Sequence, residues 1–199
     1  MGSTCPEASP EGVALNVIGG EWGGRKLKSP PRTVRPTAAI LRRSLFDILG
    51  PGIAGKTVLD LYAGSGSLGL EALSRGARRC DFVERDRRVA NVVKDNLSAL
   101  VGAAESERGR VHSGAVERWL ERSGRALREY DLVLIDPPYG DPGLTGVLAS
   151  IGRPGALKET AMVVVERRSD ERPDPVEGLV EVRRVSHGDS MLVMMRSEV

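Results

Sequence analysis

Apolar and polar positions change period again and again along the chain. "KTVLDLY", "RCDFVE", "GRVHSG", "YDLVLI" and "AMVVVE" are short apolar or alternating runs that predict strands. Between them lie segments with apolar residues three and four positions apart, which predict helices. These are "SLGLEALSRG", closed by Gly76 at the C′ position, then Asp86 to Leu100, Ala115 to about Leu127 with Trp119 and Leu120 inward, and Gly143 to Ile151. Upstream, Thr37 can cap a helix running to Leu49, with Leu41, Leu45 and Ile48 on one face. "ALNVI" reads as a short strand, and "GGEWGGRKLKSPPRTVRP" as a loop or small hairpin. Strand–helix alternation implies an α/β fold, a doubly wound and mostly parallel sheet covered on both faces. The end of the chain differs. "LVEVRRVS" and "SMLVMMR" are separated only by "HGD", so the sheet is expected to finish with antiparallel strands.

A chain of 199 residues suffices for one domain with a real core, supplied by aliphatic side chains because aromatics make up only 4%. There is no internal repeat and no sign of a second domain. The expected division is a disordered tail over 1–12, a basic arm and helix over 13–50, and a cofactor-binding domain over 51–199. The start, "MGSTCPEASPEG", has neither a basic nor an apolar signal region, and no apolar run approaches a membrane span. Cys5 and Cys80 form no disulfide framework and have no zinc spacing. His112 and His187 have no metal partners at useful spacing, and neither is given a catalytic role. These features fit a cytosolic protein, expected to be a monomer and to hold no metal.

Charge changes this picture in one place. Between Gly19 and Arg43 stand Arg25, Lys26, Lys28, Arg32, Arg35, Arg42 and Arg43, opposed only by Glu21, while the net charge of the chain is +2. A basic arm on a mildly acidic body suggests a polyanion reached from one side; a solvated basic surface is an equal alternative on charge alone. Arg25, Lys26, Arg32, Arg35 and Arg42 are the candidate phosphate contacts. Trp22 suits either a stacking role or a hydrophobic anchor for the arm.

"LDLYAGSGSLGLEAL" carries Gly64, Gly66 and Gly69 in the G-x-G-x-x-G spacing after a predicted strand and before a helix, with Glu84 ending the next strand. Ala63, Ser65 and Arg85 belong to the same candidate cofactor site. Asp60, just ahead of the glycines, argues against a dinucleotide. A carboxylate there would repel a pyrophosphate seated on the helix N-terminus, but would attract the ammonium and sulfonium of S-adenosylmethionine. Glu84 suits the ribose hydroxyls, and Gly114 and Ala115 in "HSGA" can admit an adenine edge. The blander alternatives are a turn-capping role for Asp60 and close helix–strand packing for Gly69.

"DPPY" then follows "YDLVLI", placing Asp136, Pro137, Pro138 and Tyr139 at a strand tip. An exocyclic amine on a nucleobase is a poor nucleophile, because its lone pair is delocalised into the ring. Two acceptors, the Asp136 carboxylate and the Pro137 carbonyl, can bind its hydrogens and aim the lone pair at a methyl group. The prolines fix that geometry in advance. Tyr139 can stack on a base taken out of its helix.

With "LDLYAGSGSLGLEALSRGA", "FVERD", "DPPY", the N-terminal "VIGGEWGGRKLKSPP...RPT...LF" and the final "HGDS", the chain resembles the bacterial methyltransferases that modify N2 of a guanine in 16S ribosomal RNA. The resemblance runs from about Val17 to the end. It implies a Rossmann-like class I methyltransferase with a seven-stranded sheet, the last strand antiparallel, acting with S-adenosylmethionine on 16S rRNA during small-subunit assembly. One departure stands out. After "RPT" the family shows an Asp-Arg pair where this chain has Ala39 and Ile40; Arg42 is kept and Arg43 replaces an acid. Competing readings are an adenine-N6 methyltransferase of RNA or DNA, a nicotinamide-dependent oxidoreductase, and a non-catalytic RNA-binding assembly factor. The oxidoreductase leaves Asp60, "DPPY" and the basic arm without a role.

Overall fold

The structure, a computed structural model, describes residues 15–29, 36–102, 107–171 and 174–198. The expected tail with Cys5, and the candidate phosphate ligands Arg32 and Arg35, lie outside the described residues. So does the side chain of Thr37, the expected cap.

Helix α1 (Pro36–Leu49) leads through a 3-10 turn into strand β1 (Thr57–Leu61). There follow α2 (Ser67–Ser74), β2 (Arg79–Glu84), α3 (Arg87–Val101), β3 (Gly109–Ser113), α4 (Val116–Ser123), β4 (Leu132–Ile135), α5 (Leu144–Gly152), β5 (Met162–Arg168), β6 (Leu179–His187) and β7 (Ser190–Ser197). The seven strands form one sheet in the order β3-β2-β1-β4-β5-β7-β6. Strands β1 to β5 pair in parallel, whereas β7 runs antiparallel to both β5 and β6. The strand order reverses between β1 and β4, which opens a crevice at their carboxyl ends.

Every residue of β1 and β4 is buried, because helices cover both faces. On one face Val58, Leu134 and Val164 meet Leu41, Leu45 and Phe46 of α1, Leu70 and Leu73 of α2, and Val93 of α3. On the other, Leu59, Val133 and Val163 meet Trp119 and Leu120 of α4 and Val147 and Ile151 of α5. Val17, Trp22 and Leu27 of the N-terminal arm join the first cluster, so the arm is built into the body.

Two expected elements differ. Of "ALNVI", the described residues 15–18 carry one antiparallel bridge, Asn16 to Lys26, in the small hairpin of the arm. The fourth helix ends at Ser123 and continues as a 3-10 turn over Gly124–Glu129. Ser and Gly in succession are poor helix formers, and the tighter turn replaces the last stretch of α-helix.

Candidate active site

β1 leaves the sheet through Tyr62, whose φ of 59° is the one left-handed non-glycine conformation among the described residues. Such a conformation costs about 1–2 kcal/mol in an L-residue, so the surroundings must hold it. Ala63 donates its N–H to Val83 O at 3.0 Å, and Gly66 closes the loop by donating to Ala63 O at 2.7 Å. Gly66 then stands at φ 80° as the residue before α2. A side chain on Gly69 would lie 2.4 Å from the Phe82 ring and 2.6 Å from Cys80 Sγ. Gly69 is thus a packing glycine that brings α2 onto β2.

Asp60 is 1% exposed, and its Oδ2 accepts the Gly69 N–H at 2.9 Å. It organises the glycine loop from beneath, which is the capping role set out above as the alternative. Burial pushes its carboxyl well above the ordinary carboxylate range; the Gly69 N–H opposes this, and the charges of Asp136 and Glu84 add to it. Those two acids therefore converge with Asp60 at the carboxyl ends of β1, β2 and β4.

Glu84 is half-buried. Its Oε2 accepts Gly64 N–H and its Oε1 accepts Asp86 N–H, both at 2.9 Å. Each oxygen keeps a lone pair for a further donor. Gly114 N–H donates to Glu84 O at 2.9 Å, which brings the "HSGA" turn with Ala115 beside the same acid. Arg85 is exposed at this rim, and Asp86 caps α3 by accepting from Arg88 N at 2.7 Å. Ser65 presents its carbonyl to the Asn96 side chain at 3.0 Å.

Asp136 follows β4 next to β1, and its N–H reaches Leu61 O at 3.4 Å. Pro138 to Asp141 then form a turn, with Asp141 N–H donating to Pro138 O at 3.1 Å and Gly140 at φ 71°. Tyr139 is 37% exposed, and its hydroxyl lies 2.6 Å from Ser190 Oγ. A cleft of about 230 Å³ opens beside this turn, lined by Pro137, Pro138, Tyr139, Thr145 and the buried Glu166 among others.

Part of the arm's basic set is engaged within the chain. Arg25 donates to Ala99 O at 2.7 Å, tethering the arm to the end of α3. Lys28 pairs with Asp95 at 2.8 Å. Arg42, expected on RNA, is only 6% exposed and donates to Asn16 O at 2.6 Å. It is an internal strut, and a buried guanidinium cannot be reached by a phosphate. Lys26 is exposed. Trp22 is buried under the Arg108 guanidinium at 5.1 Å, an anchor rather than a stacking surface.

Three residues that hold the arm have no role in the sequence reading above. Glu71, fully buried, accepts Ile18 N–H at 2.6 Å and Gly19 N–H at 2.9 Å. Ser74 accepts Trp22 N–H at 2.9 Å and donates to Gly19 O at 2.6 Å. Asn96 bonds both main-chain groups of Lys28 as well as Ser65 O, joining the arm to the glycine loop. The signal for Glu71 and Asn96 was a polar residue on the apolar stripe of a helix.

The fold and this site define a Rossmann-like class I methyltransferase, the class whose methyl donor is S-adenosylmethionine. Residues 15–196 match the family model described as Conserved hypothetical protein 95. The chain is 36% identical over 176 residues to YlbH of Bacillus subtilis, named as a candidate rRNA methyltransferase, covering 87% of this chain and 94% of that one. It is 35% identical over 153 residues to Ribosomal RNA small subunit methyltransferase D of Escherichia coli, covering 76% and 74%. The solved structure of the Escherichia coli candidate methyltransferase yhhF superposes with a TM-score of 0.78 at 31% identity, covering 93% and 98%. The chain belongs to this family, that of the small-subunit rRNA methyltransferase D. Among the described residues no helix is long and apolar enough to cross a membrane.

Proposed function

We propose that the chain methylates the exocyclic N2 amine of a guanine in 16S rRNA of the small ribosomal subunit, using S-adenosylmethionine. The observation that carries this reading is the convergence of Asp60, Glu84 and Asp136 beside a glycine loop at the sheet's switch point. Such a site favours a cationic cofactor over a phosphate-bearing one. S-adenosylmethionine supplies a methyl group made electrophilic by its sulfonium. The free lone pairs of Glu84 suit the ribose hydroxyls, the Gly64–Gly66 backbone leaves room for the methionine end, and Gly114 and Ala115 border the adenine end.

Asp136 and the Pro137 carbonyl accept the two hydrogens of the target amine and direct its lone pair. Asp136 acts as an acceptor, and a strong base is not required, because the amine becomes acidic once it carries the methyl group. Tyr139 stacks on the base that enters the adjoining cleft. The relatives' names support rRNA as the substrate. Lys26, with Arg32 and Arg35, remains in the proposed phosphate footprint.

Asp136→Ala and Asp136→Asn test the chemistry together. Loss of the acceptor in Asp136→Ala should lower kcat by about 10²–10³, the scale of one lost transition-state hydrogen bond, with cofactor affinity retained. Asp136→Asn keeps a carbonyl acceptor and should retain most of the rate. A silent Asp136→Asn would instead make Asp136 a base, and an active Asp136→Ala would remove it from the chemistry.

A further inference from the structure

The expectation for Tyr139 concerned the residue alone. The structure shows what holds it. Its hydroxyl lies 2.6 Å from the hydroxyl of Ser190, a residue 1% exposed at the start of β7. The Arg168 guanidinium sits over one face of the ring, 5.8 Å from its centroid. Arg168 is itself held by a two-pronged pair with Asp170, Nε and Nη2 donating at 3.0 and 3.1 Å. Arg168 and Ser190 are direct partners in the β5–β7 ladder, so both supports rise from one rung of the sheet. Ser169 N–H further ties the end of β5 to Asp189 O at 2.9 Å.

A tyrosine side chain has two rotatable bonds; anchoring its oxygen on Ser190 fixes the first, and the Arg168 guanidinium against one face restrains the second, which sets the ring plane. A guanidinium on one face is favourable through the ring quadrupole, and it directs an incoming base to the other face. A ring already ordered in this way loses little freedom when a base stacks on it.

We propose that Ser190 and Arg168 are positioning residues that preset the Tyr139 ring as a one-sided stacking platform for the flipped target base. This inference rests on the stacking role given to Tyr139 above. Neither residue touches the reacting atoms; both act through the ring.

The test measures kcat and KM for methyl transfer to small ribosomal subunits lacking the modification, alongside S-adenosylmethionine affinity. Tyr139→Ala should lower kcat/KM by roughly ten- to hundred-fold, the scale of one lost aromatic–base stack. Ser190→Ala and Arg168→Ala should each lower kcat/KM several-fold with unchanged cofactor affinity. Ser190→Thr, which keeps the hydroxyl, should restore activity. In a Tyr139→Phe background, Ser190→Ala should cost nothing further, because the hydroxyl it engages is gone. A merely structural serine would instead cost the same in both backgrounds, and that result overturns the inference. So would wild-type kinetics in Ser190→Ala and Arg168→Ala when Tyr139→Ala is impaired. Full activity in Tyr139→Ala would instead remove the stacking reading on which the inference rests.

Discussion

The Asp60 carboxylate accepts the Gly69 N–H at 2.9 Å from a position sealed off from solvent. One acid thereby shapes the glycine loop. Burial, then the charges of Asp136 and Glu84, raise its pKa against the pull of the Gly69 N–H. A bound cation favours the ionised carboxylate and draws that pKa back down. Cofactor affinity should therefore rise with pH through the titration of Asp60 in the free protein, and level off above it. Asp60→Asn keeps an acceptor for Gly69 and removes the charge. We expect roughly ten-fold or more weaker S-adenosylmethionine binding and a flatter pH profile, read by calorimetry. Equal affinity and an equal profile in the variant would leave Asp60 a purely structural cap.

The arm is held by buried polar contacts to α2. Glu71→Ala would leave the N–H groups of Ile18 and Gly19 without their acceptor. A fully buried orphan costs about 1–3 kcal/mol and these two groups are half-buried, so a loss of roughly 1–3 kcal/mol is expected in urea unfolding. A change below about 0.5 kcal/mol would mean that the arm contributes nothing to the body's stability.

Arg42 and Lys26 separate structure from RNA contact. Lys26→Ala should lower the salt slope of RNA binding by about one unit. Arg42→Ala should leave that slope unchanged and instead cost on the order of 2 kcal/mol of stability, because Asn16 O loses its donor. The reverse pattern would restore Arg42 to the RNA footprint.

The strand–helix alternation was legible because β1 and β4 are buried on both faces: β4 reads as an unbroken apolar run, and β1 as one interrupted by Asp60. The antiparallel end was legible because so few residues separate β6 and β7. The order of Asp60, the glycines, Glu84 and Asp136 along the chain matched their meeting at the strand tips, since a doubly wound sheet gathers successive carboxyl ends. The anchoring of the arm was not legible because its contacts, such as Gly19 to Glu71, span more than fifty residues. A basic side chain looks the same in sequence whether it faces solvent or, like Arg42, is buried against a carbonyl. The pairing of Tyr139 with Ser190 across 51 residues left no local trace.

Asp81 supplies a pH test of stability. Burial pushes its carboxyl up, but the nearby His112 imidazole, 3.6 Å from Oδ1, the hydrogen bond from Tyr130 and the Arg79 charge outweigh that and hold it below the ordinary range. A depressed folded pKa means that the stability is present above the unfolded value of about 3.9 and is lost as pH falls through the folded one. The Tyr130 hydroxyl donates to Asp81 at 2.6 Å. Tyr130→Phe should therefore lower stability by about 1 kcal/mol near neutral pH and flatten the fall below pH 4. An acid limb identical to that of the native protein would remove Asp81 from the account.

The most direct test is to supply labelled S-adenosylmethionine with small ribosomal subunits lacking the modification, digest the RNA to nucleosides and identify the labelled one. Label in N2-methylguanosine is the predicted result. Label in N6-methyladenosine would keep the amine chemistry and overturn the substrate, and absence of label from the RNA would contradict the proposed function.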